Sequence, residues 1–290
     1  MKLVVKPIPV PKGFVHPPPK NDILPSHEFT MGIIAPKGSG KTTVIANLLD
    51  FYKGYFHTIL VFSPTVASDE KWDYVKRQEL LADNVPLKQW LKELAMKDSE
   101  NKVVQDAPPG RELEGLVNPA PLLDRRIPEE CFYSEYDEET LQEIMDEQMN
   151  VVKMLKKHDQ SKHMANRLLI IFDDLVGSSL FSGRKDNPFK KLNTNHRHYS
   201  ASILMVSQAY KELPKTVRTN FSCLIIFEIP NDKEIEVIQE ENPMYIKKPQ
   251  WMELYEHAVE GDHDFLFINY QKPKRLRMMK NFTHVLFVDV

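Results

Sequence analysis

The sequence predicts an α/β domain with a largely parallel central sheet flanked by helices and finished by C-terminal strands. Three observations carry that expectation. Seven short apolar runs, each bounded by turn residues, recur along the 290 residues. The runs are continuous rather than alternating, the pattern of strands covered on both faces. Helical patterns fall between several of them, which favours crossover connections and hence parallel pairing.

In chain order, the first run is FTMGIIA at 29–35, followed by a loop rich in Gly and Lys and a helical pattern over Thr42–Tyr52. HTILVFS at 57–63 is the second strand. Residues 66–165 have a different character and read as a mostly helical and loop insertion between the second and third strands. Within the insertion, DEKWDYVKRQELLADNVPLKQWLKELAMKDSEN is helical in pattern, while VVQDAPPGRELEGLVNPAPLLDRRIPEECF holds too many prolines for a regular element. Glu138–Lys157 is an amphipathic helix that opens with acids and closes with lysines, as the helix dipole favours. RLLIIFDD at 167–174, ASILMVS at 201–207 and SCLIIFEI at 222–229 are further strands, with helical patterns at Pro188–Asn195 and Lys233–Glu240. DFLFINY at 264–270 and HVLFVDV at 284–290 complete the C-terminal strands, 264–290. Residues 1–25, with Pro7, Pro9, Pro11, Pro17, Pro18 and Pro19, read as an extended arm that docks on something or stays mobile, leaving 26–290 as a single domain.

Composition narrows the setting. Thirty-eight basic and 41 acidic residues give a net charge of -3, which excludes a histone-like polycation but not a local basic strip. The apolar runs are four to eight residues long, against about 20 for a membrane span. The N-terminus has no long apolar core before its prolines, so no secretory signal is read. Cys131 and Cys223 are far apart without metal-ligand spacing and read as reduced side chains of an intracellular protein.

The loop APKGSGKT, Ala35 to Thr42, matches the phosphate-loop pattern except at its first residue. Glycines at 38 and 40 let consecutive N–H groups of Ala35, Pro36, Lys37, Gly38, Ser39, Gly40 and Lys41 turn around phosphate oxygens wherever an N–H exists. Lys41 reaches the β- and γ-phosphates, Thr42 offers a hydroxyl to Mg²⁺, and the helix from Thr43 points its positive end at the anion. Ala35 lies outside the inner loop, where close approach matters most. A carboxylate on a neighbouring strand completes such a site. LLIIFDD supplies Asp173 as the metal-side carboxylate and Asp174 as a candidate base for water, with Asp one methylene shorter than Glu. Gln208 ends the next strand, where its amide could bond the γ-phosphate or the attacking water. Arg197 before that strand and Arg218 after it are both candidates to reach a neighbouring subunit's γ-phosphate. His196 and His198, like His158 and His163, lack a third ligand at a convincing spacing and read as structural or surface histidines.

APKGSGKTT, LLIIFDD, RHYSASILMVSQ and LPKTVRTN, in this order, together with VFSPT after the second strand, resemble the FtsK–HerA superfamily of DNA-pumping ATPases. More narrowly, they are similar to the poxvirus-type genome-packaging ATPases of large DNA viruses and virophages. The resemblance covers about Glu28 to Glu240 in pieces. It implies a RecA-like P-loop NTPase fold with strand order 5-1-4-3-2 and a homo-oligomeric ring, commonly a hexamer, around double-stranded DNA. It also implies ATP hydrolysis with Mg²⁺ at subunit interfaces, and packaging of a viral genome into a preformed capsid. The setting it implies is a virus assembly site or the virion, with a capsid or vertex protein as a further partner and no membrane. The arginine before the Gln-ending strand acts across the subunit boundary in that superfamily, which ranks Arg197 above Arg218. Asp174 departs from the Asp-Glu pair of bacterial members, whereas viral relatives also carry Asp-Asp.

A translocase grips phosphates without reading bases. Val176–Lys191, directly after the acidic pair, is the candidate DNA loop, with Arg184, Lys185, Lys190 and Lys191 supplying charge. YQKPKRLRMMK at 270–280 is a second basic stretch, read as the rim of a C-terminal hairpin. Alternative readings are a cellular FtsK/HerA-like translocase, a small-molecule P-loop kinase, and a nucleotide-binding assembly protein without hydrolysis.

Overall fold

Side chains alternate along each apolar run, and this divides the buried residues between the two faces of one sheet. A computed structural model describes residues 16–101, 124–160 and 164–287. The prolines at 7, 9 and 11, residues 102–123 of the proline-rich stretch, His163 and the last three residues of the C-terminal run lie outside the described residues.

Among the described residues the strands are β1 (Thr30–Ile34), β2 (Thr58–Phe62), β3 (Phe132–Tyr133), β4 (Leu168–Asp173), β5 (Ala201–Ser207), β6 (Cys223–Phe227), β7 (Phe265–Asn269), β8 (Met278–Lys280) and β9 (His284–Leu286). They form one sheet in the order β3-β2-β4-β5-β1-β6-β7-β8-β9. The pairings from β3 through β6 are all parallel, and those from β6 through β9 are antiparallel. Counting only β1, β2, β4, β5 and β6, the order is the expected 5-1-4-3-2.

The helices are α1 (Lys41–Phe51), α2 (Glu70–Arg77), α3 (Val85–Asn101), α4 (Glu138–Lys157), α5 (Pro188–Asn195), α6 (Lys215–Arg218), α7 (Asp232–Glu241) and α8 (Lys248–Ala258). On one face Ile33, Val61, Ile171, Val206 and Ile225 meet Ile45 and Leu48 of α1 and Trp72 and Val75 of α2. On the other, Phe62, Ile170, Phe172, Ile203, Met205, Ile226 and Ile268 meet Leu141 and Met145 of α4, Leu192 of α5, Ile238 of α7 and Trp251 of α8. Fully buried strands explain why the runs show no polar alternation.

The helical pattern expected over the first part of the insertion is divided. Asp69 caps α2 with its side chain, the chain turns extended at Gln78, and α3 starts at Val85. Residues 16–25 of the arm pack on the domain. The Tyr55 hydroxyl donates to the Pro17 carbonyl and the Tyr52 hydroxyl to the Pro25 carbonyl, each at 2.8 Å. Pro19 and Leu24 are buried. Among the described residues no helix is long and apolar enough to cross a membrane.

Parallel pairing gives the sheet two unlike ends. The C-terminal ends of β1, β4, β5 and β6 lie together, and β7 starts beside them because Phe265 pairs with Phe227. The opposite end gathers Thr30, Leu168, Ala201, Cys223 and Asn269.

Candidate nucleotide and metal site

The site is built at the C-terminal end of the parallel strands, where loops leave the sheet. Ala35 directly follows β1: it is fully buried, and its N–H, expected among those turned toward phosphate, donates instead to the Ser207 carbonyl at 3.0 Å. A side chain at this first position therefore points into the core and costs the loop nothing. The chain then curls, with the Ser39 N–H and hydroxyl both donating to the Pro36 carbonyl. Gly38 and Gly40 have φ of 86° and 99°, a region that strains residues with a side chain. Helix α1 starts at Lys41 with Gly40 as its cap and no side-chain bond to its first N–H groups, which leaves those donors and the helix dipole facing the loop. Lys37, Gly38 and Thr43 are exposed, while Thr42 is buried at the helix start.

Asp173 ends β4 fully buried. Its Oδ2 accepts from the Ser63 hydroxyl at 2.8 Å, while Oδ1 is buried without a hydrogen-bond partner and lies 3.9 Å from Lys41 Nζ. Burial pushes the Asp173 carboxyl above the usual carboxylate range, against the pull of Lys41 and of the Ser63 bond. A buried carboxylate oxygen with no partner, beside the hydroxyl-bearing N-terminus of α1, suits a hard cation held by oxygen ligands. Thr42 and Asp173 therefore fit Mg²⁺.

Asp174 sits at φ 55°. Its Oδ2 accepts from Lys41 Nζ at 2.9 Å and from the Gln208 amide at 2.7 Å. Three of the sequence-predicted residues, from three different strand ends, thus meet on one oxygen atom, with Asp173 adjacent.

The predicted arginines are placed elsewhere. Arg197, exposed, precedes β5 and stands at the opposite end of the sheet from Gln208. Arg218 is tied within its own chain: Nη2 lies 3.2 Å from Glu241, and the guanidinium lies 4.7 Å from the Tyr210 ring centre. The stretch expected to be a DNA loop, Val176–Lys191, is a loop only as far as Asn187, since Lys190 and Lys191 lie in the first turn of α5. The loop is held because the buried Asn187 amide donates to the Leu180 carbonyl at 2.9 Å and the Ser182 hydroxyl at 3.0 Å. Arg184, Lys185, Lys190 and Lys191 are exposed on this stretch, with Arg184 3.5 Å from Glu138.

Two contributors escaped the sequence reading. Ser63 was visible only as part of VFSPT. His263 had no signal, since it is 224 residues from the loop it touches: its Nδ1 donates to the Ser39 carbonyl at 3.0 Å. Beside this contact lies a cleft of about 300 Å³ lined by Pro36, Lys37, Phe227, Glu228, Asp262 and His263. Elsewhere, His16, His27 and Glu28 place possible ligand atoms within 4.8 Å of one another. Both His27 nitrogens are engaged, however, Nδ1 with the Ser202 hydroxyl at 2.7 Å and Nε2 with the Ser200 carbonyl at 2.9 Å. That cluster anchors the arm.

Comparison with known proteins finds one family model and several solved structures that are similar to this chain. The family model described as Poxvirus A32 protein matches residues 128–268, from before β3 through most of β7. The matched stretch includes Asp173, Asp174, Arg197, Gln208 and Arg218 and excludes the phosphate loop. Among solved structures, the genome packaging NTPase B204 from Sulfolobus turreted icosahedral virus 2, in complex with AMPPCP, is 11% identical, with 90% of this chain and 98% of that chain covered at a TM-score of 0.51. The DNA-packaging ATPase B204 from Sulfolobus Turreted Icosahedral Virus is 12% identical, covering 84% and 93%, at 0.46. The cytoplasmic domain of the Type VII secretion ATPase EccC of Thermomonospora curvata is 13% identical, covering 84% and 24%, at 0.39. The first of these carries the fold assignment. No curated protein matches at the level of sequence. The resemblance read from the motifs and the family match agree, and the chain has the fold of a viral packaging NTPase.

Proposed function

We propose that this protein is an ATP-driven double-stranded DNA translocase that packages a viral genome into a preformed capsid, with hydrolysis at the subunit interfaces of a ring. The observation that carries the ATPase reading is the meeting of Lys41, Asp173, Asp174 and Gln208 at one sheet end. Lys41 is held by Asp174 here. Arriving phosphates compete for the ammonium, and an Asp174 oxygen freed from Lys41 can accept a proton from water that Gln208 helps to orient. Thr42 and Asp173 would hold Mg²⁺, which would supply charge neutralisation at the phosphates. The cleft beside His263 takes the nucleoside, with Glu228 and Asp262 as acceptors for ribose hydroxyls.

The reading of a shared site is supported by what each chain does not bring to its own loop. Arg218 is sequestered, and Arg197 faces away at the far end of the sheet. An Arg197 that acts on a neighbour's γ-phosphate requires subunits arranged head to tail, N-terminal sheet end against C-terminal sheet end. Repetition of that heterologous contact by rotation closes a ring. A small-molecule kinase would have no use for such an arginine.

ATP turnover with and without duplex DNA tests the reading. The wild type is expected to be stimulated by DNA and Lys41→Ala to be inactive under both conditions. An active but unstimulated wild type would leave a nucleotide hydrolase and remove the translocase.

A further inference from the structure

Among the segments of the chain that hold no acidic residue are Asn242–Met252 and Phe265–His284, which together carry Lys247, Lys248, Lys272, Lys274, Arg275, Arg277 and Lys280. The fold brings these two segments together at the N-terminal end of the sheet. Asn269 ends β7 there, and Tyr270 bonds back to Ser222 just before β6. Where they meet, Tyr245 stands 73% exposed. Lys274 Nζ lies 3.7 Å from the centre of its ring, and the Arg277 guanidinium 6.0 Å. Lys247, Lys274 and Arg275 are exposed around it, and among the described residues none of these cations, nor Arg277, has a carboxylate at ion-pair distance. Lys248, by contrast, is occupied by Glu236 at 2.8 Å.

The backbone is committed to this arrangement. Met244 and Tyr245 are consecutive non-glycine residues at φ 51° and 63°, a left-handed conformation that side chains disfavour. Met244 is buried and pins the turn, so the strain is spent on holding the ring of Tyr245 outward. On the other segment, Arg277 Nε donates to the Lys272 carbonyl at 2.9 Å and closes the basic turn on itself. Four cations without an ion-pair partner among the described residues, two of them against an exposed aromatic ring, are what a repeating polyanion needs. The cluster offers charge for phosphates and a flat apolar face for sugar, without the donor–acceptor pairs that would read a base.

We infer that Tyr245, Lys247, Lys274, Arg275 and Arg277 form a contact surface for the sugar–phosphate backbone of duplex DNA, separate from the loop after Asp174. The inference rests on the translocase reading for its choice of polyanion. The surface stands at the same sheet end as Arg197 but three strands along, roughly 14 Å across the sheet. A buried polar chain joins it to the nucleotide end. Tyr210, two residues past Gln208, donates to Glu241 at 2.8 Å and accepts from Asn242 at 3.2 Å, and Asn242 accepts from Tyr270, which opens the basic turn.

The test is binding of a short fluorescein-labelled duplex, followed by anisotropy across a salt series, for the full chain and for Lys247→Ala/Lys274→Ala/Arg275→Ala. Arg277 and Tyr245 are left intact to preserve the turn. Unchanged binding of a fluorescent ATP analogue checks the fold, and Lys190→Ala/Lys191→Ala probes the other candidate stretch. The triple variant is expected to lose at least tenfold in affinity, with the slope of log K against log salt shallower by about 2–3. Wild-type affinity and slope in the triple variant would overturn the surface while leaving the translocase reading intact. A wild type that ignores duplex and whose turnover is unstimulated by it would overturn both. If the wild type instead binds phosphatidylcholine–phosphatidylserine vesicles and the triple variant does not, the surface is a membrane contact and the DNA assignment fails.

Discussion

At the scale of single residues, Asp174 is the point where the proposed chemistry is most exposed to test. Its carboxylate takes both Lys41 and Gln208 on one oxygen. Asp174→Asn keeps the size of the side chain and removes its capacity to accept a proton. Turnover is expected to fall about 10²–10⁴-fold while ATP affinity stays within a few-fold, as read by single-turnover hydrolysis beside equilibrium binding. Equal losses in both would make Asp174 a binding residue instead. A second residue-scale prediction concerns pH. His57 Nδ1 accepts from the Arg167 N–H at 2.9 Å, and burial, with Arg167 and His16 nearby, lowers its pKa to about 3. A histidine that is neutral when folded binds fewer protons than in the unfolded chain, so its share of stability is complete above about 6.5 and is lost as pH falls from there toward 3. Between neutral pH and pH 5 the loss is about 2 kcal/mol. His57→Gln should flatten the fall in urea midpoint over that range, and an identical fall in both proteins would refute the assignment.

At the scale of elements, Asn187 makes the sharpest prediction. Its side chain caps α5 by accepting from the Lys190 N–H at 3.1 Å, and its amide also ties the loop from Leu180 to Ser182. Asn187→Ala should cost about 2 kcal/mol and lower the thermal midpoint. If the midpoint does not move, the loop is not held as described. This is also the scale at which the sequence was most and least legible. Strands β1, β2, β4, β5, β6 and β7 were readable because burial on both faces leaves runs such as LLIIF unbroken by polar residues. Strands β3 and β8 were not. Phe132–Tyr133 and Met278–Lys280 are two and three residues long, and their neighbours in the sheet, rather than their own composition, make them strands. Helix α8 was missed because its apolar residues are sparse, with Trp251, Tyr255 and Ala258 buried among polar ones. The phosphate loop and Asp173 were legible because local spacing alone specifies them. His263 was not, since nothing local to Asp262–His263 marks a residue that folds back onto Ser39. The Asn187 bonds that order the loop after Asp174 were not legible either, since they depend on side-chain direction.

At the scale of the whole molecule, the two ends of the sheet divide the work. One end gathers Lys41, Asp173, Asp174 and Gln208, the groups proposed to handle phosphate. The other carries Arg197 and the acid-free surface around Tyr245, and a head-to-tail ring would set the second end of each subunit against the first end of the next. The central claim, that hydrolysis is shared between chains, is tested most directly by mixing. Wild-type protein and Arg197→Ala are combined in varying ratio at constant total concentration, with duplex DNA and saturating ATP, and steady-state turnover is followed. Shared sites predict that activity falls well below the line joining the two pure proteins, since each variant subunit silences a neighbour's site within a coordinated ring. Activity that falls in strict proportion to the wild-type fraction would contradict the coordinated ring, and an Arg197→Ala protein as active as the wild type would contradict sharing through Arg197 itself.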